Sequence, residues 1–142
     1  MPGPLITLRQ RRGAWAEKLA SEHLTALGWR VLASNLRIGR DEIDLLAIEP
    51  GERDSPAMLV VVEVRGLHSR SFGAPEESVD RAKVARLYRA ALTLRAAGSL
   101  PHGESLPRVS WRVDLIVLDA REEPLRLRHL RAMEMSEQGP AP

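Results

Sequence analysis

The chain has 142 residues, 44% hydrophobic and 28% charged, which excludes a disordered protein and fits one globular domain with its own core. It has no cysteine, which excludes disulfides and thiolate metal sites. Its net charge is only +2, and no stretch is apolar over the roughly 18 residues that a membrane span needs. We therefore expect a cytoplasmic protein that does not associate with membranes.

The N-terminal part predicts a flexible arm followed by a helix. Residues 1–10 begin with proline and glycine, which prevent regular structure. From residue 12 to 27 apolar side chains recur at the helical period, and Gly28 follows as a C-terminal cap. Glu17 lies at the edge of the apolar stripe, where it could reach a site beside a sheet. The stripe consists of Ala16, Ala20, Leu24 and Leu27.

Three strands are predicted next, over residues 29–36, 42–48 and 58–65, with Asn35 marking the end of the first. The third is a continuous, β-branched apolar run, typical of a strand buried on both faces. The second carries a carboxylate, Asp44, among apolar residues. Alternation along that strand predicts that Asp44 shares a side with Leu46 and lies opposite Ile43 and Leu45.

The C-terminal part predicts a loop over 66–75, a helix over 76–97 and strands over 109–118 and 125–129. The order α-β-β-β-α-β-β indicates an α/β fold with a central mixed β-sheet flanked by helices. We expect one domain over 11–133 and a disordered tail over 134–142. The long helix is predicted to turn Val79, Val84, Leu87, Ala91 and Leu94 inward and Arg81, Lys83, Arg86 and Arg89 outward.

Two carboxylates on neighbouring strands, Asp44 and Glu63, are the candidate functional groups. An ionised carboxylate in a sheet core is costly unless a cation or donor compensates it. A shared divalent metal that prefers oxygen ligands is the simplest such cation, and Arg65, on the same face as Glu63, could hold a phosphate or the attacking water. The structural alternative is a pair of salt bridges, Glu63 with Arg65 and Asp44 with Arg37 or Arg40. A further carboxylate, Asp114, is interpreted as structural.

Several segments together resemble one family, the YraN-like proteins, which are small bacterial proteins of unassigned function. The resemblance runs from about Arg12 to Leu130. It is carried by Arg12-Gly13-x-x-x-Glu17, Gly28-Trp29-Arg30-Val31-Leu32-Ala33-x-Asn35, Glu42-Ile43-Asp44-Leu45, Val62-Glu63-Val64-Arg65 and Phe72-Gly73-Ala74-Pro75-Glu76-Glu77-Ser78-Val79, with Lys83 and Trp111-Arg112-Val113-Asp114.

The resemblance implies a restriction-endonuclease-like fold, similar to Holliday-junction resolvases and PD-(D/E)xK nucleases. By position it implies that Asp44 is the motif aspartate, Glu63 the metal-binding glutamate and Glu17 the helix glutamate of a Mg²⁺ or Mn²⁺ site. Arg65 stands where the motif has lysine, and Asp41 replaces a glycine usual in the family. An arginine is effectively never deprotonated, so Arg65 cannot be a general base, although it can orient water or stabilise phosphate charge.

We therefore expect a metal-dependent endonuclease acting on branched or otherwise structured DNA, and by analogy with resolvases a homodimer. The expected catalytic residues are Asp44, Glu63, Arg65 and Glu17, and the expected phosphate contacts are Arg37, Arg40, Arg81, Lys83 and Arg86. The alternative is a non-catalytic nucleic-acid-binding protein that keeps the fold but lacks the motif lysine. A protein-interaction domain with an ion-paired acidic edge is a third interpretation.

Overall fold

The computed structural model describes residues 8–68 and 81–133. Over these ranges the element order is the predicted α-β-β-β-α-β-β. The elements are α1 (Leu8–Ala26), β1 (Arg30–Ile38), β2 (Asp41–Glu49), β3 (Met58–Leu67), α2 (Arg81–Ala97), β4 (Ser110–Asp119) and β5 (Arg126–Leu130). Neither helix is long and apolar enough to cross a membrane, within the residues described.

The five strands form one mixed sheet in the order β1-β2-β3-β4-β5. Neighbouring strands are antiparallel except β3 and β4, which are parallel and joined through α2. The predicted α/β fold is confirmed, and its architecture is compatible with a restriction-endonuclease-like fold.

The core has two layers, one on each face of the sheet, because each helix buries one apolar stripe. On one face Ala16, Ala20 and Leu24 of α1 pack against residues of β3 such as Val60 and Val62. On the other face α2 packs against the opposite side of β2, β3 and β4 through Leu87, Ala90, Ala91 and Leu94. The central strand β3 is therefore buried on both faces, as its sequence predicts.

The end of α1 explains why one residue of the predicted stripe is exposed. Gly28 has a φ of 88°, a conformation that glycine adopts without strain. The N–H of Gly28 donates to the carbonyl of Thr25, and that of Trp29 to the carbonyl of Leu24, which is a Schellman cap. This cap turns Trp29 into the core and leaves Leu27 46% exposed, so the prediction that Leu27 is buried was wrong.

Other boundaries also differ from the sequence prediction. The helix α1 begins at Leu8, inside the segment 1–10 predicted to be an arm. β1 continues past Asn35 to Ile38, although Asn35 takes a left-handed conformation within the strand, with a φ of 50°. The predicted segments 1–7, 69–80 (with Val79 and the start of the second helix) and 134–142 lie outside the described residues.

Gly66 in β3 gives a test of how closely α1 packs on the sheet. A Cβ at this position would lie 2.8 Å from Cζ2 of Trp15 and 2.9 Å from Cβ of Ala16. Gly66→Ala is therefore expected to lower the free energy of unfolding by about 1–3 kcal/mol through overpacking, measured by urea unfolding. The cost should be smaller in a Trp15→Leu background, and equal costs in both backgrounds would contradict the packing.

Candidate functional site

The candidate site forms where β2 and β3 separate. Their backbone ladder runs from Glu49↔Met58 to Leu45↔Val62 and stops there. Beyond that point Oδ2 of Asp44 accepts a hydrogen bond from the backbone N–H of Val64 at 2.9 Å. A side-chain carboxylate thus satisfies a donor on the neighbouring strand, and Asp44 is held beside Glu63.

The predicted alternation along β2 was wrong around Asp44. Ile43 and Leu46 both belong to the core layer beneath α2, whereas Leu45 belongs to the layer beneath α1. On the β1 side, Leu36 pairs with Ile43 and Ser34 with Leu45, with the left-handed Asn35 between them. In a regular strand Ile43 and Leu45 would lie on the same face of the sheet. They lie in different core layers, so the alternation of side chains is broken at Asp44.

Glu63 is the most unusual group of the site because it is a carboxylate that is only 2% exposed. Oε2 of Glu63 lies 3.5 Å from Nζ of Lys83 and 3.5 Å from a terminal guanidinium nitrogen of Arg65. Oε1 of Glu63 and Nε of Arg65 are buried and make no hydrogen bond within the described part of the chain. The predicted same-face pair of Glu63 and Arg65 is confirmed, but it satisfies only half of the carboxylate.

Burial and the negative charge of Asp44 raise the pKa of Glu63 to about 8, in spite of the opposing charges of Lys83 and Arg65, and a hydrogen bond that the protonated Glu63 carboxyl donates to Asp44 adds to the rise. The raised pKa means that the charges of Lys83 and Arg65 do not offset the effects of burial and of Asp44 on Glu63. The alternative pairing of Asp44 with Arg37 or Arg40 is not seen among residues 8–68 and 81–133.

Glu17 reaches the same region from α1. Burial and the charge of Asp44 raise the pKa of Glu17, and a hydrogen bond with the side chain of Asn35 opposes that rise. Glu17 and Glu63 thus both feel the charge of Asp44, which lies at the centre of the group. Asp44 is thus near enough to both Glu17 and Glu63 for its charge to raise the pKa of each.

The two carboxylates Asp44 and Glu63 fit a divalent cation. Their oxygens are the ligands that Mg²⁺ and Mn²⁺ prefer, and the buried Oε1 of Glu63 has no donor to satisfy it. No three acidic or histidine side chains in the described ranges lie close enough together to hold a metal ion. A bound cation would therefore take its remaining ligands from water or a phosphate, and the place of Glu17 among the ligands stays a prediction.

The predicted phosphate contacts divide into two groups. Arg37, Arg40, Arg81 and Arg86 are exposed, as expected for side chains that meet a ligand from solution. Lys83 was predicted on the outer face of its helix, but it is half-buried and contacts Glu63. Its position explains the difference, because Lys83 directly precedes the buried Val84 and is one turn from Leu87.

Asp41, which replaces the glycine usual in the resembled family, connects the first hairpin to α2. Its two carboxylate oxygens accept hydrogen bonds of 2.9 and 2.7 Å from Arg89. These bonds lower the pKa of Asp41, and the nearby charges of Arg89, Arg40 and Arg86 lower it further. The exposed arginines of the hairpin and of α2 therefore form one basic surface, made of Arg40, Arg86 and Arg89.

A second polar network, at Asp114 of β4, was predicted only as structural. Asp114 is fully buried and accepts two hydrogen bonds from Arg112, one from the backbone N–H of Ala132, and lies 2.9 Å from Nε2 of His129. Burial alone would raise the pKa of Asp114, but these bonds together hold it below its usual value. Arg112 also binds Glu49 at 2.7 Å. Every oxygen of Asp114 is thus satisfied, in contrast to Glu63.

A cleft of about 1010 Å³ lies at the far end of the sheet, between the end of α2 and the starts of β3 and β4. Arg95 and Arg108 line it, but none of the predicted site residues does. We place the candidate site at the carboxylates because their burial and unsatisfied oxygen indicate a missing partner, whereas the cleft shows no such group.

Comparisons with known proteins cover the part of the chain that contains the candidate site. The model of the family described as "Uncharacterised protein family UPF0102" matches residues 16–118. A UPF0102 protein of Roseiflexus castenholzii is 34% identical over 124 residues, 86% of this chain and 91% of the relative. One of Chlorobaculum tepidum is 36% identical over 129 residues, 87% and 91% of the two chains. One of Thermus thermophilus is 34% identical over 119 residues, 84% and 93%.

Proposed function

This chain belongs to the uncharacterised protein family UPF0102, as its resemblance to the YraN-like proteins indicated, and we propose that it is a metal-dependent endonuclease. Its substrate would be branched or otherwise structured DNA, and the reaction would be hydrolysis of a phosphodiester bond. The proposal rests on the pair of carboxylates at the diverging ends of β2 and β3, one of which is buried with an unsatisfied oxygen.

Each residue of the site has a role in this proposal. Asp44 and Glu63 would hold Mg²⁺ or Mn²⁺, and Glu17 is the proposed third carboxylate of the site. The bound ion would supply a hydroxide at neutral pH and stabilise charge that develops on the phosphate oxygens. Arg65 adds a fixed positive charge next to Glu63, which can stabilise the phosphate but cannot accept a proton.

The basic surface supports the proposed contact with the DNA backbone. Arg40 and Arg86 lie near Asp41, on the hairpin and helix that adjoin the carboxylates. Arginines bind phosphate oxygens with two donors at once. Phosphate contacts of this kind position a duplex without reading its sequence, which is consistent with a substrate recognised by shape.

The experiment is a cleavage assay on a labelled four-way DNA junction with Mn²⁺. We expect Asp44→Asn to lower the metal-dependent rate by about 100-fold or more, because it removes a charged metal ligand. The amide oxygen of the variant can still accept the bond from Val64, so thermal unfolding should show a folded protein. Asp54→Asn, an exposed carboxylate in the turn between β2 and β3, is the matched control. An Asp44→Asn variant as active as the wild type would contradict the proposal.

The second candidate is a non-catalytic nucleic-acid-binding protein, favoured by one observation, which is that arginine occupies the lysine position of the motif. The same junction distinguishes the two. A binding protein would retain the junction without metal, would lose it steeply as salt rises through counterion release, and would leave it uncut in the wild type and in Asp44→Asn alike.

A further inference from the structure

Two cations contact Glu63 at the candidate site, and they come from different elements of the fold. Arg65 lies on β3, two residues after Glu63, whereas Lys83 is in the first turn of α2. Both cations approach the same oxygen, Oε2 of Glu63, at 3.5 Å. The site thus contains a lysine, although the motif position does not.

The two cations differ in what they can do after a metal ion has bound. Nε of Arg65 is buried, and the guanidinium that contains it is planar and rigid. Lys83 carries a compact ammonium on a flexible four-carbon stem, and 28% of its side chain is exposed. The two side chains are similarly exposed, 35% for Arg65 and 28% for Lys83, so what distinguishes Lys83 is the flexible stem that lets its ammonium turn from Glu63 toward a ligand from solution.

A divalent ion and an ammonium group next to the same carboxylate repel each other strongly in a buried site. We propose that Lys83 neutralises the Asp44–Glu63 pair in the metal-free protein and, when a metal ion displaces it, contacts the substrate phosphate. Lys83 would then add, from α2, a second phosphate contact to the one proposed for Arg65. The second half of this inference rests on the proposed nuclease function, and the first half does not.

The test measures metal and DNA binding separately, with Lys83→Gln and the matched control Arg86→Gln from the exposed face of the same helix. In Mn²⁺ calorimetry we expect Lys83→Gln to bind about tenfold more tightly than the wild type, because a competing charge is gone. Arg86→Gln should stay near the wild type. Lys83→Arg, which keeps the charge, should not bind Mn²⁺ more tightly than the wild type.

The second measurement is fluorescence anisotropy of a four-way DNA junction in Ca²⁺. Here Lys83→Gln should bind roughly tenfold more weakly in Ca²⁺ but near the wild-type affinity without divalent metal, whereas Arg86→Gln should weaken binding equally in both conditions. The signature is thus tighter metal binding with weaker DNA binding in one variant.

The two measurements test the exchange of cations and the phosphate contact separately. Unchanged or weaker Mn²⁺ binding by Lys83→Gln would overturn the inference as a whole. Tighter Mn²⁺ binding by that variant, together with no DNA binding by the wild type, would support the exchange of cations and overturn the phosphate contact, and the proposed nuclease function with it. Tighter Mn²⁺ binding and equal loss of DNA binding with and without Ca²⁺ would support the exchange and overturn the metal-dependent contact.

Discussion

Asp114→Ala is expected to lower the free energy of unfolding by about 3–5 kcal/mol, the usual cost of breaking a buried ion pair from one side. The substitution removes the acceptor of two bonds from Arg112, one from the backbone of Ala132 and the contact with His129. Arg112 would retain Glu49, which limits but does not cancel the loss.

The backbone of the C-terminal segment depends on the same carboxylate. The N–H of Ala132 bonds to Asp114, and the next N–H, that of Met133, donates to the carbonyl of Val113 in β4. Tyr88 of α2 donates to the carbonyl of Met133. We therefore expect amide exchange in residues 131–133 to accelerate in Asp114→Ala together with the loss of stability.

Urea unfolding measures the effect, with Glu122→Ala as the control. Glu122 pairs with Arg126 at 3.9 Å, and both side chains are more than half exposed, so its loss should cost less than about 1 kcal/mol. Equal costs for the two variants would show that the buried network contributes no more than a surface pair.

Glu63→Gln is expected to change the dependence of stability on pH. The pKa of Glu63 is raised from 4.5 to about 8 in the folded protein, so between these values the folded state holds a proton that the unfolded state has released. The contribution of Glu63 to the free energy of unfolding is therefore fully present below pH 4.5 and is lost as pH rises toward 8. Glutamine cannot ionise, so the variant escapes this loss.

The expected result is a variant that is about 2–4 kcal/mol more stable than the wild type at pH 8.5 and close to it at pH 4.5. Urea unfolding across this range measures the difference, and the ¹³C shift of the Glu63 carboxyl follows its ionisation directly. Glu122→Gln corrects for the loss of one surface charge. Parallel stability curves for the wild type and Glu63→Gln would contradict the raised pKa.

Many features of the fold, and the residues of the candidate site, could be predicted from local patterns in the sequence. The strand run containing Glu63 and Arg65, the helical stripe of α1 and the cap at Gly28 are local patterns, and each is confirmed except that Leu27, at the end of the stripe, is exposed. The α/β order followed from these patterns. The residues of the candidate site were also predictable, because Asp44 is a carboxylate within an apolar strand and Glu17 lies at the edge of the stripe.

The arrangement of those residues was not predictable, because it depends on long-range packing. The break in alternation at Asp44 lies opposite the left-handed Asn35 of the paired strand, and strict alternation cannot anticipate it. Lys83 resembled a solvated cation in the sequence, since its neighbours in the chain do not reveal Glu63 on the strand beneath it.

The sequence by itself determined the elements, their order and the family, because periodicity, caps and motifs are properties of neighbouring residues. Only the tertiary structure decided which charges meet. Asp114 is surrounded by donors, while Glu63 is buried beside Asp44 with an oxygen that no donor satisfies. Both are carboxylates in apolar strands, and the difference between them lies in the packing of residues that are far apart in the chain.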